Sequence, residues 1–157
     1  MKILVVSDTH GRLDNLEYVL EKVKPIDLLI HLGDVCRQED YIEALADCPC
    51  EIVAGNNDIF STLPRVRELK LGNYRIHLEH GHRLPYSIDG MRREAADLQC
   101  DILMSGHTHR PLIDEADGIW LVNPGSISLP RQEGHNPTYI IMEIDKKGCV
   151  HFTLKKL

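Results

Sequence analysis

The chain has 157 residues, 43% of them hydrophobic and 27% charged, with a net charge of -6 when histidine is neutral. This length suits one domain with a continuous core, taken as residues 1–157, and the composition excludes a disordered polymer. The acidic balance argues against nucleic acid as a partner, since that affinity rests largely on Lys and Arg neutralising phosphates.

The start, MKILVVSDTH, holds one Lys and the apolar run Ile3 to Val6 before Ser7, too short for the core of a leader peptide. No stretch approaches the roughly 18 apolar residues of a membrane span, so a cytoplasmic location without membrane attachment is expected. Cys36, Cys48, Cys50, Cys100 and Cys149 are odd in number and lack C-x-x-C spacing, which supports neither a disulfide framework nor a zinc ribbon. Cys48-Pro49-Cys50 reads as a reduced pair in a turn rather than a soft-metal chelate.

Ile3 to Val6 reads as a short buried strand, followed by a helix with Leu16, Val19, Leu20 and Val23 at helical spacing and Asp14 as its expected cap. Pro25 ends that helix, and Leu28 to Leu32 gives a second strand that stops at Gly33-Asp34, completing a βαβ unit. Glu39 to Ala46 suggests a second helix with Tyr41, Ile42 and Leu45 inward, and Glu51 to Ala54 another short strand. Val66 to Leu71 and Tyr74 to Glu79 flank Gly72-Asn73 as a β-hairpin with a two-residue turn. Ser87 to Leu98 is a third helix with Ile88, Met91, Ala95 and Leu98 as its apolar positions, and Ile102 to Met104 a buried strand. Ile119 to Val122, Thr138 to Ile144 and Val150 to Leu154 are three further strands. Asn57 to Pro64 and Leu129 to Pro137 are the long loops.

Five short motifs sit at the ends of these strands: SDTHG with Asp8 and His10, HLGDV with Asp34, AGNND with Asn56, EHGH with His80, and SGHTHRP with His107 and His109. Each is weak alone. At an extended strand end, Asp8 and His10 would point the same way and share one cation. Asp34 could equally cap the next helix, and Asn56 could be a plain turn residue. Three histidines beside glycines at strand ends are harder to dismiss, because neutral imidazole is a common metal ligand. Carboxylate with imidazole suits manganese, iron or zinc better than calcium. The joint set describes a two-metal hydrolytic centre of the kind that activates water against phosphate esters.

The ordered set D-T-H, G-D, G-N-N-D, H-G-H and G-H-T-H resembles the signature of the calcineurin-like metallophosphoesterase superfamily, D-x-H, G-D, G-N-H-D/E, H and G-H-x-H. The resemblance runs from Ile3 to about Arg131. With the short length and Asn123-Pro124-Gly125-Ser126, the chain looks most like the small single-domain YfcE-type phosphodiesterases. That likeness implies an α/β fold, a four-layer αββα sandwich. It assigns Asp8, His10, Asp34 and His109 to one divalent metal and Asp34, Asn56, His80 and His107 to the other, with Asp34 bridging. The implied reaction is in-line attack on phosphorus by a hydroxide held between the metals. Manganese is the expected metal, with iron, zinc, nickel or magnesium as alternatives.

The chain departs from the family pattern at Asn57, where many members carry the histidine that serves as general acid. An amide does not titrate in the useful range, which points to phosphodiesters with acidic leaving alcohols. His82 is an alternative proton donor, though a supporting hydrogen-bond role is the commoner expectation. Arg37, Arg110 and Arg131 adjoin the motif loops and could clamp phosphate oxygens. Asp58 resembles the acidic residue after the family histidine. His31, His77, His135 and His151 read as structural or surface residues, and Trp120 as core or interface. A small phosphate ester is the expected substrate and a homodimer the default assembly. Competing readings are a protein-binding scaffold of the retromer-subunit type and a phosphomonoesterase or nucleotidase.

Overall fold

The structure is a computed structural model that describes all 157 residues. In chain order the elements are β1 (Lys2–Val6), α1 (Asp14–Val23), β2 (Leu28–His31), α2 (Glu39–Ala46), β3 (Cys50–Ile52), β4 (Val66–Leu71), β5 (Tyr74–Glu79), α3 (Ile88–Asp97), β6 (Ile102–Met104), β7 (Pro111–Ala116), β8 (Ile119–Pro124), β9 (Thr138–Ile144) and β10 (Val150–Lys156). They form two mixed five-stranded sheets, ordered β10-β9-β1-β2-β3 and β4-β5-β6-β8-β7.

Strand β1 shows how the layers arise. Successive side chains point to opposite faces, so Ile3 and Val5 enter the core between the sheets while Leu4 and Val6 enter the core beneath α1 and α2. Burial on both faces is why this strand reads as an unbroken apolar run rather than an alternation. The second sheet divides its residues likewise. Ile76, Leu78, Ile102, Met104 and Val122 face the first sheet, whereas Leu103 and Leu121 pack with Ala95 of α3. The result is a four-layer α/β/β/α sandwich.

Several local expectations needed correction. Leu13, not Asp14, stands at the N-cap of α1, and no side chain caps that end; Asp14 is the first helical residue, where its charge favours the positive helix terminus. Tyr41 points outward and its hydroxyl bonds Glu17, while Ala46 takes the buried position beside Ile42. Ile88 and Leu98 at the two ends of α3 are exposed, and Gly90 and Ala95 make its buried face. Strand β3 ends at Ile52, two residues before the expected Ala54. Strand β7 was not expected, because Pro111 opens it and Asp114-Glu115 interrupts any apolar pattern. It lies at a sheet edge, the position where proline and charge are tolerated.

The cysteines are all free. Burial pushes the Cys50 thiol up to about 12 and raises Cys48 as well, so both stay protonated, consistent with a reduced turn pair.

His77, on the helix-facing side of β5, is buried between Glu79 and Glu68 and hydrogen-bonds both. The Glu79 bond, aided by Glu68, outweighs burial and raises its pKa above 6.5. A raised folded-state value means that the charged cluster stabilises the protein fully below 6.5 and loses this contribution as pH climbs through the folded value. Urea unfolding of the native chain and His77→Gln should therefore show a stability gap that is wider at about pH 6 than at about pH 9. A gap independent of pH would contradict a charged His77.

Candidate metal centre

The five motifs occupy loops that leave the carboxyl ends of β1, β2, β3, β5 and β6, and the two sheets present these ends to one another. Crevices at the carboxyl ends of parallel strands are the usual ligand sites of such folds. The expectation that Asp8 and His10 extend β1 was incorrect. Strand β1 ends at Val6, and Asp8, His10, Asp34, His107 and His109 all adopt left-handed backbone conformations with φ between 48° and 63°. Each such residue costs on the order of 1–3 kcal/mol, and the loops curl their side chains inward toward one point. Nor does Asp34 cap α2, whose N-cap is Gln38.

At that point His109 Nε2 lies 3.1 Å from Asp8 Oδ1 and 3.3 Å from His10 Nε2. His10 Nε2 is 3.6 Å from Asp34 Oδ2. His80 Nε2 is 3.5 Å from Asp34 Oδ2, 4.0 Å from Asp8 Oδ1 and 3.1 Å from Asn56 Oδ1. The His107 ring lies 5.1 Å from that of His80, centroid to centroid. All seven residues singled out in the motifs thus converge. Two overlapping sets have donor atoms close enough to share one ion: Asp8, His10 and His109, and Asp8, Asp34 and His80.

The donor chemistry fits divalent cations. Asp8 Oδ1 is fully buried without a hydrogen-bond partner, a state that is costly for a carboxylate oxygen unless a cation compensates. The ring orientations agree. A backbone carbonyl only accepts, so His80 Nδ1 donates to Leu32 O at 2.7 Å and His109 Nδ1 to Leu129 O at 2.5 Å. Each Nε2 is thereby aimed into the cluster, in the manner of histidine ligands held by a carbonyl.

The electrostatics carry the same sign. Burial alone would raise the Asp34 carboxyl, but the neighbouring His80 and the donors of Asn57 outweigh it and hold Asp34 well below the usual carboxylate range. Burial would lower His80, yet Asp34 and Asp8 raise it. Protonation and cation binding therefore compete at His80. Burial lowers His10, opposed by Asp34 and Asp8, and also lowers His107, with His80 adding to the effect.

Supporting residues outside the ligand motifs hold the loops together. Asp58 accepts from Gly55 N at 2.8 Å and Val35 N at 3.2 Å through Oδ2, and from Cys36 N at 2.7 Å through Oδ1. It pins the Asp34 loop to the Asn56 loop. Asn57 donates to both oxygens of Asp34, from its backbone at 2.9 Å and its side chain at 2.6 Å. His31 is fully buried and lowered to about 4 by burial. Its Nδ1 accepts from Gly33 N, so Nε2 donates to Thr9 Oγ1, which joins the first two motif loops from below. Asn123 donates to Gly106 O at 2.7 Å, and Ser126 Oγ donates to Asp8 O at 2.9 Å. The supporting roles of His31, Asn123 and Ser126 escaped sequence reasoning, since each depends on a contact distant in the chain.

Two glycines are required by close approach. A Cβ on Gly55 would lie 2.1 Å from Asp34 Oδ1, and one on Gly106 would lie 2.0 Å from Ser7 Oγ. The ligand loops touch so closely that a methyl group cannot pass between them.

The remaining predicted residues fall around the cluster. The His82 ring lies tilted to that of His80 and edge-on to that of His107, with centroids 5.7 and 6.1 Å away, and its Nδ1 is buried without a partner. Burial lowers its pKa, reinforced by His80, Arg83 and Arg65. Arg37 lies over the Phe60 ring at 5.6 Å. Arg110 and Arg131 line a groove that begins at His107. His135 and His151 are exposed, and half-buried Trp120 packs on Phe152 with ring centroids 5.0 Å apart, remote from the motifs in the second sheet.

The calcineurin-like phosphoesterase superfamily domain matches residues 1–147. A probable metallophosphoesterase of Methanothermobacter thermautotrophicus is 34% identical over 151 residues, 92% of this chain and 87% of that protein. The crystal structure of a predicted phosphoesterase from Streptococcus pneumoniae superposes with a TM-score of 0.78 at 26% identity, covering 99% of this chain and 97% of that one. Zinc-bound Vps29 from Entamoeba histolytica shares the fold at a TM-score of 0.79 and 24% identity, covering 99% of each chain. No helix is long and apolar enough to cross a membrane. The relatives and the two ligand clusters together support a metal-dependent phosphoesterase, and the chain belongs to the calcineurin-like phosphoesterase superfamily.

Proposed function

We propose that this protein is a phosphodiesterase of the small single-domain YfcE type, with one cation held by Asp8, His10, Asp34 and His109 and a second by Asp34, Asn56, His80 and His107. The observation that carries this reading is the buried, partnerless Asp8 Oδ1 facing three imidazoles. When bound, two divalent cations supply a water of lowered pKa and neutralise phosphoryl oxygens. Manganese is the proposed metal. Asp34 orients both halves of the cluster, and Asn57 fixes the Asp34 carboxylate. His80 and His109 keep their Nε2 atoms turned inward through the carbonyls of Leu32 and Leu129.

No group beside the cluster is well suited to protonate a leaving alcohol. The Asn57 amide is committed to Asp34, and the depressed pKa of His82 keeps it largely neutral near pH 7. Diesters with acidic leaving alcohols should therefore react fastest, with the missing acid catalysis worth about 10²- to 10⁴-fold for poor leaving groups. The test measures turnover across aryl and alkyl diesters in native protein and Asn57→His, with metal content checked in each. A steep dependence on leaving-group pKa that flattens in the variant is expected. Equal rates for good and poor leaving groups in the native protein would refute the idea. In the same assay, faster cleavage of p-nitrophenyl phosphate than of its bis ester would favour a monoesterase. No turnover at full metal occupancy would favour a binding role on the fold shared with Vps29.

A further inference from the structure

The groove that starts at His107 has a volume of about 610 Å³, within the ordinary range for a small-molecule site. Its walls differ from the rest of the surface. In a chain with 24 acidic and 18 basic residues, no carboxylate lines it, while Arg110 and Arg131 both do. The arginines that form ion pairs are Arg67, Arg75 and Arg92, which leaves these two guanidinium groups without a carboxylate partner. Both arginines are tied by their backbones to the metal-ligand loop: Arg110 N donates to Thr108 Oγ1 at 3.2 Å and Arg131 N to His109 O at 3.0 Å.

The rest of its lining is largely apolar. Tyr86 is 88% exposed and Ile88 42% exposed, and Met91 and Leu112 pack against the core cluster under α3. Part of the lining is thus anchored in a packed core, and Tyr86 offers an unburied aromatic ring. A ring and planar guanidinium groups favour flat π systems over aliphatic chains. The guanidinium forks also match a carboxylate or phosphate.

We propose that this groove is a specificity site that takes a planar aromatic ester group carrying a second anionic substituent. The inference rests on the phosphodiesterase reading and names the class of ester that the metal centre receives. The substrate lies with its phosphoryl group at the cluster and its aromatic group against Tyr86, and the outer anion meets Arg110 and Arg131. An aryl or nucleoside-sized group fits the volume, whereas a nucleic-acid polymer is disfavoured by the acidic remainder of the surface.

The test is calorimetric binding of methylphosphonate, phenylphosphonate and para-carboxyphenylphosphonate to metal-loaded protein, which needs no turnover. Phenylphosphonate should bind about 10-fold tighter than methylphosphonate, and the carboxylate should tighten binding several-fold more. Tyr86→Ala should reduce the phenyl preference to about 2-fold or less, and Tyr86→Phe should restore it. Joint replacement of Arg110 and Arg131 by Ala should remove only the gain from the carboxylate. Metal-dependent binding with equal affinity for methyl and phenyl probes would overturn the groove assignment while leaving the phosphodiesterase reading intact. Equal binding to metal-stripped and metal-loaded protein would overturn that reading and the groove together.

Discussion

An Asp34→Ala variant is expected to lose both cations and on the order of 10³-fold in phosphodiester turnover, whereas His10→Ala should deplete mainly one site. Asp34 Oδ2 stands within 3.6 Å of His10 Nε2 on one side and 3.5 Å of His80 Nε2 on the other, closer to each than Asp8 Oδ1, which lies 3.8 and 4.0 Å from them and is shared by both candidate ligand sets. No other acidic side chain except Asp8 enters the cluster. Its two oxygens are held by Asn57, so the alanine variant also frees that amide and leaves His80 with Asn56 and the more distant Asp8 as its neighbours in the cluster. Metal analysis after dialysis, together with steady-state kinetics, separates the two variants. Asp34→Asn preserves the volume, so a fold defect in the alanine form can be recognised. Equal, slight losses of metal from Asp34→Ala and His10→Ala would contradict a bridging carboxylate.

Gly55→Ala should destabilise the fold by about 3 kcal/mol and weaken metal binding at the same time. The added methyl group would meet Asp34 Oδ1 at 2.1 Å and Asp34 N at 2.4 Å, and neither is the tip of a flexible side chain free to retreat. Asp34 is pinned by Asn57, and the Gly55 backbone by Asp58, so relief requires one whole loop to back away. Chemical denaturation of the metal-stripped variant measures the strain, and metal titration measures the displaced ligand. Gly118→Ala is the useful control. It has a positive φ of 76°, which Gly55 lacks, but a Cβ there meets nothing within 4 Å, so it should cost only the backbone conformation. A loss at Gly55 no larger than that at Gly118 would show that the crowding at Asp34 is relieved at little cost.

Much of the architecture was legible because the two sheets bury strands on both faces. Ile3 to Val6 and Ile102 to Met104 announce themselves as apolar runs, and Gly72-Asn73 marks the hairpin. The edge strand β7 was not legible, since an edge needs little apolar content and Pro111 masks it. Tyr41 misled because an amphipathic residue suits either face of a short helix. At the site, the residue types drew attention to the seven motif positions that the structure gathers. Their geometry was not legible: Asp8 and His10 converge through curled loops, not through strand alternation. Asp58 drew attention only through the family resemblance, and the prop formed by His31 was beyond reach, because hydrogen bonds spanning more than twenty residues leave no periodic trace.

The left-handed backbone at five of the motif positions has a consequence for how such a centre can arise. Outside glycine, the residues that enter this conformation most readily are Asn, Asp and His, which are also residues able to bind divalent cations through oxygen or imidazole nitrogen. Loop shape and ligand chemistry therefore draw on the same small alphabet. In a library randomised at positions 8, 10, 34, 107 and 109, sorting for foldedness alone would already enrich side chains capable of holding metal. A backbone of this shape narrows the search for a metal centre before any activity is selected.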